Sequence, residues 1–247
     1  MSKYSVHHQQ QIGYFTKEFS QFASYHPAPW QLSYIKKIRS EIKTPLARTK
    51  VLDIAAGSGY ASVEFAKKGC QVTATDLTAE SINLINRYKK AMRLKNLKVV
   101  KSVAEKLPFP DNTFDVVIAN AILEHIPAET QAVNEWRRVL KQSGILAITV
   151  PLKFRYIWPP LWLPNWIHDR RIGHLRRYDL AYLKSKFPDY KVERVFYTGN
   201  VFKIMVMIIN LFFKSARLEE IGEKLDAYTN AIPYGANNIM VIFKKIV

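Results

Sequence analysis

Cysteine is nearly absent from this chain, since Cys70 is the only one in 247 residues. No internal disulfide can form, and such a composition is typical of proteins from a reducing compartment. Residues 1–11 are polar and contain no apolar stretch like the core of a secretion signal. We therefore expect a cytoplasmic protein.

Acidic residues are scarce relative to basic ones. The chain has 20 aspartates and glutamates against 37 lysines and arginines, which leaves a net charge of +17. Such an excess favours an anionic partner and has no bearing on the fold. The candidate partners are nucleic acid, an anionic membrane surface and a substrate that carries phosphate.

Long apolar runs are missing as well. The longest covers residues 201–213 and includes Lys203, whereas a helix that crosses a bilayer needs about 20 apolar residues. The run predicts either a buried helix or a helix that lies in a membrane interface. The second alternative, together with the positive charge, predicts peripheral association with the inner membrane surface.

Metal-binding spacings are not evident either. The six histidines include the adjacent pair His7 and His8, but no cluster of cysteines or acidic residues accompanies them. We therefore predict that the protein binds no metal ion.

Residues 51–60 read as a buried strand, a tight loop of small residues and the start of a helix. Gly57 and Gly59 have no side chain, so this loop can approach a ligand closely. The amides at the helix start point towards the same place. About 20 residues further on, a second strand ends at Asp76, where an acidic residue suits the hydroxyls of a ribose. The two strand ends predict a site for a nucleoside-like ligand.

Asp53 distinguishes this loop from the dinucleotide-binding loops, which have the spacing G-x-G-x-x-G. An acidic residue at the loop entrance would repel a pyrophosphate and suits a ligand with a cationic end. The spacing Asp53-x-Ala55-x-Gly57-x-Gly59 resembles motif I of the class I S-adenosylmethionine (SAM) methyltransferases. The chain departs from that motif at Ala55, where the family has glycine.

Strands and helices alternate after residue 50. The predicted strands cover residues 51–54, 71–75, 97–102, 114–119, 145–150, 191–197 and 238–244. Thr78 is the predicted N-cap of the helix after the second strand, and the helix after the fourth strand is expected to end at Gly144. This alternation predicts an α/β fold with parallel strand pairs and helices on both faces. The resemblance implies a Rossmann-like, doubly wound sheet of about seven strands, mostly parallel, with an antiparallel last strand.

Two segments flank or interrupt this pattern. We expect residues 1–44 to form an N-terminal helical cap or lid and residues 45–247 to form the SAM-binding methyltransferase domain. Within that domain, residues 151–178 form an acceptor-side loop insertion and residues 199–236 a helical insertion. The prolines of 151–178 exclude a continuous helix over that segment.

Residues 104–109, 111–117, 123–126 and 135–141 are similar to the ubiquinone/menaquinone-biosynthesis type of SAM methyltransferase, the type 11 family. The resemblance implies an enzyme that uses SAM and releases S-adenosylhomocysteine. The cofactor-binding residues that we predict are Asp53, Ala55, Gly57, Gly59, Asp76, Leu77, Ala104 and Asn120. Where the family has an acid that reads the adenine amino group, this chain has Val103, so we expect packing and the Ala104 backbone to hold the adenine.

Residues 169–178 resemble the G-H-x-R-R-Y segment of methyltransferases linked to cell-envelope lipids and glycans. Because the segment follows the fifth strand, we expect it at the carboxyl ends of the strands, where such sheets bind ligands. The alternative is a solvated basic loop. The predicted acceptor-binding residues are Trp158, Arg176, Arg177 and Tyr178.

Two histidines are candidate catalytic bases, because a hydroxyl acceptor needs a group that takes its proton. His174 lies among arginines, which lower the pKa of an imidazole and keep it neutral. His125 is the second candidate, and its alternative role is structural.

The leading function is methyl transfer from SAM to a small hydrophobic acceptor or to one linked to a lipid or glycan. The positive charge leaves a nucleic-acid methyltransferase as an alternative, although residues 120–123 lack the N/D-P-P-Y/F motif of amino-methylating enzymes. The third reading is a non-catalytic binding protein that keeps the SAM fold as a scaffold.

Overall fold

Seven strands form one sheet within residues 6–213 and 215–246, the part of the chain that the computed structural model describes. The strands are β1 Lys50–Ile54, β2 Gln71–Asp76, β3 Leu97–Lys101, β4 Phe114–Asn120, β5 Leu140–Pro151, β6 Tyr190–Thr198 and β7 Asn238–Lys245. Their order is β3-β2-β1-β4-β5-β7-β6. Strands β1 to β5 pair in parallel, and β7 runs antiparallel to β5 and β6. The predicted Rossmann-like sheet is confirmed.

Helices cover both faces of this sheet. They are α1 Val6–Phe19, α2 Pro29–Glu41, α3 Tyr60–Lys67, α4 Ala79–Ala91, α5 Glu129–Val139, α6 Trp162–Ile172, α7 Leu180–Lys186, α8 Val201–Phe213 and α9 Ala216–Thr229. Residues 1–5 of the expected N-terminal cap lie outside the described residues. One apolar layer is built around Trp136 and Phe187, and the other around Phe65 and Ile85. Each such side chain contributes about 1.5–3 kcal/mol when fully buried.

Capping and charged residues in the sequence explain why helix α4 follows β2. The Thr78 side chain accepts a hydrogen bond from the Ser81 amide and so caps the helix. Glu80 lies in the first turn and Lys89 and Lys90 in the last, which matches the helix dipole. The predicted N-cap is confirmed, and it lies directly beside the end of β2.

The connection from α5 to β5 differs from the sequence prediction. The helix was expected to continue to Gly144, but it ends at Val139, and β5 begins at Leu140. Leu140 is fully buried and pairs with Phe114 across the sheet. A Cβ on Gly144 would lie only 2.7 Å from the Leu140 side chain, so this glycine serves close packing within the strand rather than a helix end.

Segment 151–178 also differs, because it contains a helix that was not predicted. Helix α6 spans Trp162–Ile172 and has Pro164 in its first turn. A proline is tolerated there, because the amide that it lacks would have no helical partner. Gly173 ends the helix in the left-handed conformation, with φ of 76°.

Helix α8 presents an apolar face to solvent. Its exposed side chains are Phe202, Met205, Ile208, Ile209, Phe212 and Phe213, from 44% to 80% accessible. The helix packs on α9, where the Lys203 ammonium pairs with Glu223 at 2.5 Å. The buried-helix alternative is therefore wrong for this face. None of the helices in the described part of the chain has the length and apolar character needed to cross a bilayer.

Ala55 generates a stability prediction, because it has φ of 51°, a left-handed conformation that costs about 1–2 kcal/mol for a residue with a Cβ. Ala55→Gly removes this strain. Glycine also makes the unfolded chain more flexible, which costs the folded state about 0.4–1 kcal/mol. We expect a net gain of roughly 0.5–1 kcal/mol and a melting temperature about 2–3 °C higher.

The matched control is Ala56→Gly. Ala56 is buried and does not have a positive φ, so this substitution should lower the melting temperature. Thermal denaturation followed by circular dichroism measures both variants. A lower melting temperature in both variants would show that the conformation of Ala55 is not strained.

Candidate active site

A cavity of about 340 Å³ lies where the carboxyl ends of four strands meet. Its walls are residues 55–58 after β1, residues 76–78 at the end of β2, residues 102–105 after β3 and residues 120–122 after β4. Ligands bind outside the carboxyl ends of strands in open α/β sheets. The volume lies in the range of small-molecule sites. The predicted convergence of the first two strand ends is therefore present, together with two further segments.

Helix α1 covers this cavity from the N-terminal side. Ile12, Phe15 and Phe19 line the cavity, and the Phe19 ring would lie 3.2 Å from a Cβ on Gly57. The Thr16 hydroxyl donates to Glu80 Oε2 at 2.8 Å, which ties the helix to the start of α4. Helix α1 therefore lies over the cavity.

The charged side chains on the cavity wall are acidic, apart from two histidines. Among the described residues, Glu18, Asp76 and Glu105 line the cavity, and none of the lining residues is a lysine or an arginine. This is notable in a chain with a net charge of +17. Burial raises the pKa of Glu18. Such a wall disfavours phosphate groups and favours a ligand that carries a positive charge.

Asp76 ties the ends of β1 and β2 together. Its Oδ2 accepts a hydrogen bond from the Gly57 amide at 2.8 Å, while Oδ1 accepts from the amide and the hydroxyl of Thr78 at 2.9 and 2.8 Å. A carboxylate can accept about four hydrogen bonds. Asp76 therefore holds the loop in place and keeps acceptor capacity at the cavity wall.

Asp53 and Gly59, both predicted to contact the cofactor, are not among the residues that line the cavity. Asp53 Oδ2 accepts from the Ser62 amide and hydroxyl at 3.0 and 2.6 Å, and burial raises the pKa of its carboxyl to about 7. A Cβ on Gly59 would lie 2.6 Å from Ile85 Cγ1. The small size of Gly59 thus permits packing against α4, which no sequence spacing could reveal.

The other predicted cofactor residues do reach the cavity, namely Ala55, Gly57, Leu77, Ala104 and Asn120. Val103 lines it too. The Ala104 carbonyl accepts from Trp136 Nε1 at 3.2 Å, which fixes this part of the wall. Asn120 Oδ1 is buried and has no hydrogen-bond partner among the described residues, so it is available to a ligand.

The two histidines predicted as bases lie together, with ring centroids 4.7 Å apart. His125 lines the cavity, and burial lowers its pKa to about 3. His174 Nδ1 bonds Asp169 Oδ1 at 2.7 Å, and its Nε2 lies 3.8 Å from Glu124 Oε1. Sequence reasoning gave Glu124 no role, although it precedes His125 directly. Glu124 is 1% accessible, and burial raises its pKa to about 8.

The predicted acceptor-binding residues take other positions. Arg177 bonds Asp169 and Asn165, with its Nε 2.6 Å from Asp169 Oδ2. Tyr178 is fully buried, and its hydroxyl donates to the Leu123 carbonyl at 3.0 Å. Both residues hold the segment on the fold and do not line the cavity. Their long-range partners gave no signal in the sequence.

Trp158 and Arg176 lie nearer to solvent. Trp158 is 42% accessible and does not line the cavity. Arg176 lines an open cleft of about 920 Å³, which shares Glu105 with the cavity. Its guanidinium donates to the Ile126 carbonyl at 2.7 Å. Of the four residues, Arg176 alone borders a space that adjoins the cavity.

Comparison with known proteins identifies the part of the chain that builds this cavity. Residues 52–148 match a family model described as a methyltransferase domain. This stretch begins in β1 and ends in β5, so it contains all four strand ends around the cavity.

Curated relatives match over the same region. A ubiquinone/menaquinone biosynthesis C-methyltransferase of Paraburkholderia phymatum is 39% identical over 115 residues, which are 45% of this chain and 46% of the relative. The uncharacterized methyltransferase YcgJ of Bacillus subtilis is 33% identical over 105 residues, 42% of each protein. The chain thus spans about half the length of the curated relatives it matches.

A solved structure resembles the fold over nearly its whole length. The geranyl diphosphate C-methyltransferase of Streptomyces coelicolor, in complex with Mg²⁺, geranyl diphosphate and S-adenosyl-L-homocysteine, has a TM-score of 0.73 at 12% identity. The match covers 99% of this chain and 100% of that structure. By its domain match, its motifs and its sheet, the chain is similar over residues 52–148 to the class I SAM-dependent methyltransferases of the ubiquinone/menaquinone-biosynthesis type.

Proposed function

We propose that the protein transfers a methyl group from SAM to a small hydrophobic acceptor or to one linked to a lipid or glycan. The observation that carries this proposal is the charge of the cavity. Three carboxylates line it in a strongly basic protein, and no lysine or arginine does so within the described part of the chain. SAM carries a sulfonium and an ammonium group, so its cationic end suits such a wall.

The residues around the cavity have the chemical character that SAM binding requires. Asp76 would accept hydrogen bonds from the ribose hydroxyls, and residues 103–105 would flank the adenine. Gly57 allows the backbone to approach, and the free Oδ1 of Asn120 faces the methionine part. SAM supplies a methyl group that is already activated by the sulfonium. The protein's part is to orient the acceptor and to exclude water, which the α1 cap supports.

The apolar lining supports a hydrophobic acceptor. Ile12, Phe15, Ile122 and Ile126 face the cavity, and two curated relatives carry the names of a quinone-biosynthesis C-methyltransferase and a demethylmenaquinone methyltransferase. We place the acceptor at the His125 end, where the Phe15 and His125 rings are in edge contact at 5.4 Å. The cleft at Arg176 would be its entrance. His125 and His174 remain our candidates for activating the acceptor.

Methyl transfer itself is tested with methyl-labelled SAM and lipid extracts as the source of acceptor. We expect label in the organic phase together with S-adenosylhomocysteine, and much less label with Asp76→Ala at the same SAM concentration. Labelled nucleic acid instead would support the nucleic-acid alternative. SAM binding without any product would support the non-catalytic reading.

Cofactor binding depends on Asp76 in this account. Asp76→Ala removes charge-assisted hydrogen bonds worth about 1.5–3 kcal/mol, so we expect SAM affinity to fall roughly 10- to 150-fold in calorimetry. Asp115→Ala is the control, because Asp115 contacts Lys50 and Lys141 at the opposite end of the strands. Unchanged affinity in Asp76→Ala, or an equal loss in Asp115→Ala, would refute the assignment.

We also propose that the protein binds anionic membranes from the side of α6 and α8. Asn237 contacts Asn165 in the first turns of α6 and the Gly199 carbonyl just before α8, so the beginnings of the two helices lie near one another. Both expose apolar side chains, including Trp162 and Trp166. Aromatic residues favour the headgroup region, and the basic surplus attracts an anionic leaflet.

Co-sedimentation with liposomes tests this surface. We expect binding to anionic vesicles at low salt that weakens as salt rises, and a clear loss in Phe212→Ser. The control Ile246→Ser changes an exposed apolar residue that follows β7, at the other end of the sheet. No binding to anionic vesicles at low salt would contradict the proposal.

A further inference from the structure

We propose that Glu124, His125 and His174 bind a divalent transition-metal ion of the zinc type at the acceptor end of the cavity. The inference rests on the proposed function and deepens it, because it names the means by which the acceptor is activated. It replaces a direct base role of either histidine. It also departs from the absence of metal that the sequence spacing predicts.

The three side chains converge on one point. One ligand atom from each lies within 4.8 Å of the other two, and His174 Nε2 is 3.8 Å from Glu124 Oε1. Zinc bonds of about 2.0–2.2 Å hold neighbouring ligand atoms about 3.3–3.5 Å apart. Small side-chain rotations therefore close the site around an ion.

Two of the three side chains have a polar atom without a hydrogen-bond partner in the described part of the chain. Glu124 Oε2 and His125 Nδ1 are buried and find no hydrogen-bond partner among the described residues. The two residues are 1% and 5% accessible. An unpartnered buried polar atom is costly, and the nearest approach of Glu124 to His174, from Oε1 to Nε2, is 3.8 Å and too long for a hydrogen bond. A cation between them relieves this cost.

Each histidine has a second contact that holds its ring in place. His174 Nδ1 bonds Asp169 Oδ1 at 2.7 Å, and Asp169 is in turn held by Arg177. The His125 ring interacts with the Gly173 backbone, which leaves Nδ1 without a partner. Metal-binding histidines almost always have such a second partner, which orients the ring and selects the tautomer.

Hydrogen bonds join the two segments that supply the ligands. Glu124 and His125 lie in the short helical turn Leu123–His125 after β4, and His174 follows the end of α6. The Leu175 amide donates to the Glu124 carbonyl at 2.8 Å. Tyr178 also donates to the Leu123 carbonyl of this turn, and Arg176 donates to the carbonyl of Ile126, the next residue. A preorganised set of side chains is what a metal site requires.

The chemistry of the three ligands favours particular metal ions, and their number leaves one coordination position of the ion open. Two imidazoles and one carboxylate suit zinc and its neighbours better than Mg²⁺, which prefers oxygen ligands. Three protein ligands with an open fourth position are typical of catalytic zinc. His125 lines the cavity, so the open position would face the acceptor. A cation there lowers the pKa of an acceptor hydroxyl, whose proton leaves to solvent.

The experiment measures Co²⁺ and Zn²⁺ binding to the full chain after treatment with a chelator. We expect one equivalent of Co²⁺ with the visible absorption of a low-coordinate site, displaced by Zn²⁺. His174→Ala and Glu124→Gln should each weaken binding at least 100-fold. Asp169→Asn should weaken it about 10- to 100-fold.

The control is His168→Ala, which removes an exposed histidine whose ring is 6.0 Å from His174 and should retain the Co²⁺ spectrum. Circular dichroism confirms that each variant is folded, and SAM calorimetry on the chelated protein is the second readout. Intact SAM binding without stoichiometric Co²⁺ binding would overturn the metal site alone. Co²⁺ binding that Glu124→Gln and His174→Ala leave unchanged would do the same. Loss of SAM binding in the wild type would instead contradict the proposed function.

Discussion

The hydrogen bonds of the Asp76 carboxylate are the interaction on which the site depends. They join the Gly57 amide, from the loop after β1, to the Thr78 cap of α4, which follows β2. The loop conformation, the start of α4 and the position of a negative charge on the cavity wall thus share one side chain. Ser81 adds a hydrogen bond from its hydroxyl to the Gly57 carbonyl at 2.6 Å. A small-residue loop held in this way can present its backbone to a ligand without a large side chain of its own.

Charge is distributed unevenly between the cavity and the rest of the protein. Basic residues lie elsewhere, for instance Arg170 and Arg171 at the end of α6, while the described residues that line the cavity include three carboxylates and no lysine or arginine. If the protein binds anionic membranes as we propose, this separation of charge allows it to attract that surface over long range and still favour a cationic ligand in the cavity. Helix α1 covers this cavity and contributes apolar side chains to its wall.

The sequence predicted the parts of this structure that are local. Alternating strands and helices, the Thr78 cap and the strand-end position of Asp76 each depend on neighbouring residues, and the antiparallel last strand followed from the resemblance. Contacts between distant segments could not be predicted. Arg177 and Tyr178 read as acceptor-binding residues, yet Asp169 and the Leu123 carbonyl engage them. Gly59 read as a ligand contact, yet its size permits the approach of Ile85. Glu124 was missed because only the fold brings His174 to it.

The most direct test of the central claim is a crystal structure of the protein in complex with S-adenosylhomocysteine. The account predicts both ribose hydroxyls within hydrogen-bond distance of the Asp76 carboxylate, the adenine beside residues 103–105 and the sulfur near Asn120. A ligand bound instead in the open cleft at Arg176, or a ribose without contact to Asp76, would contradict it.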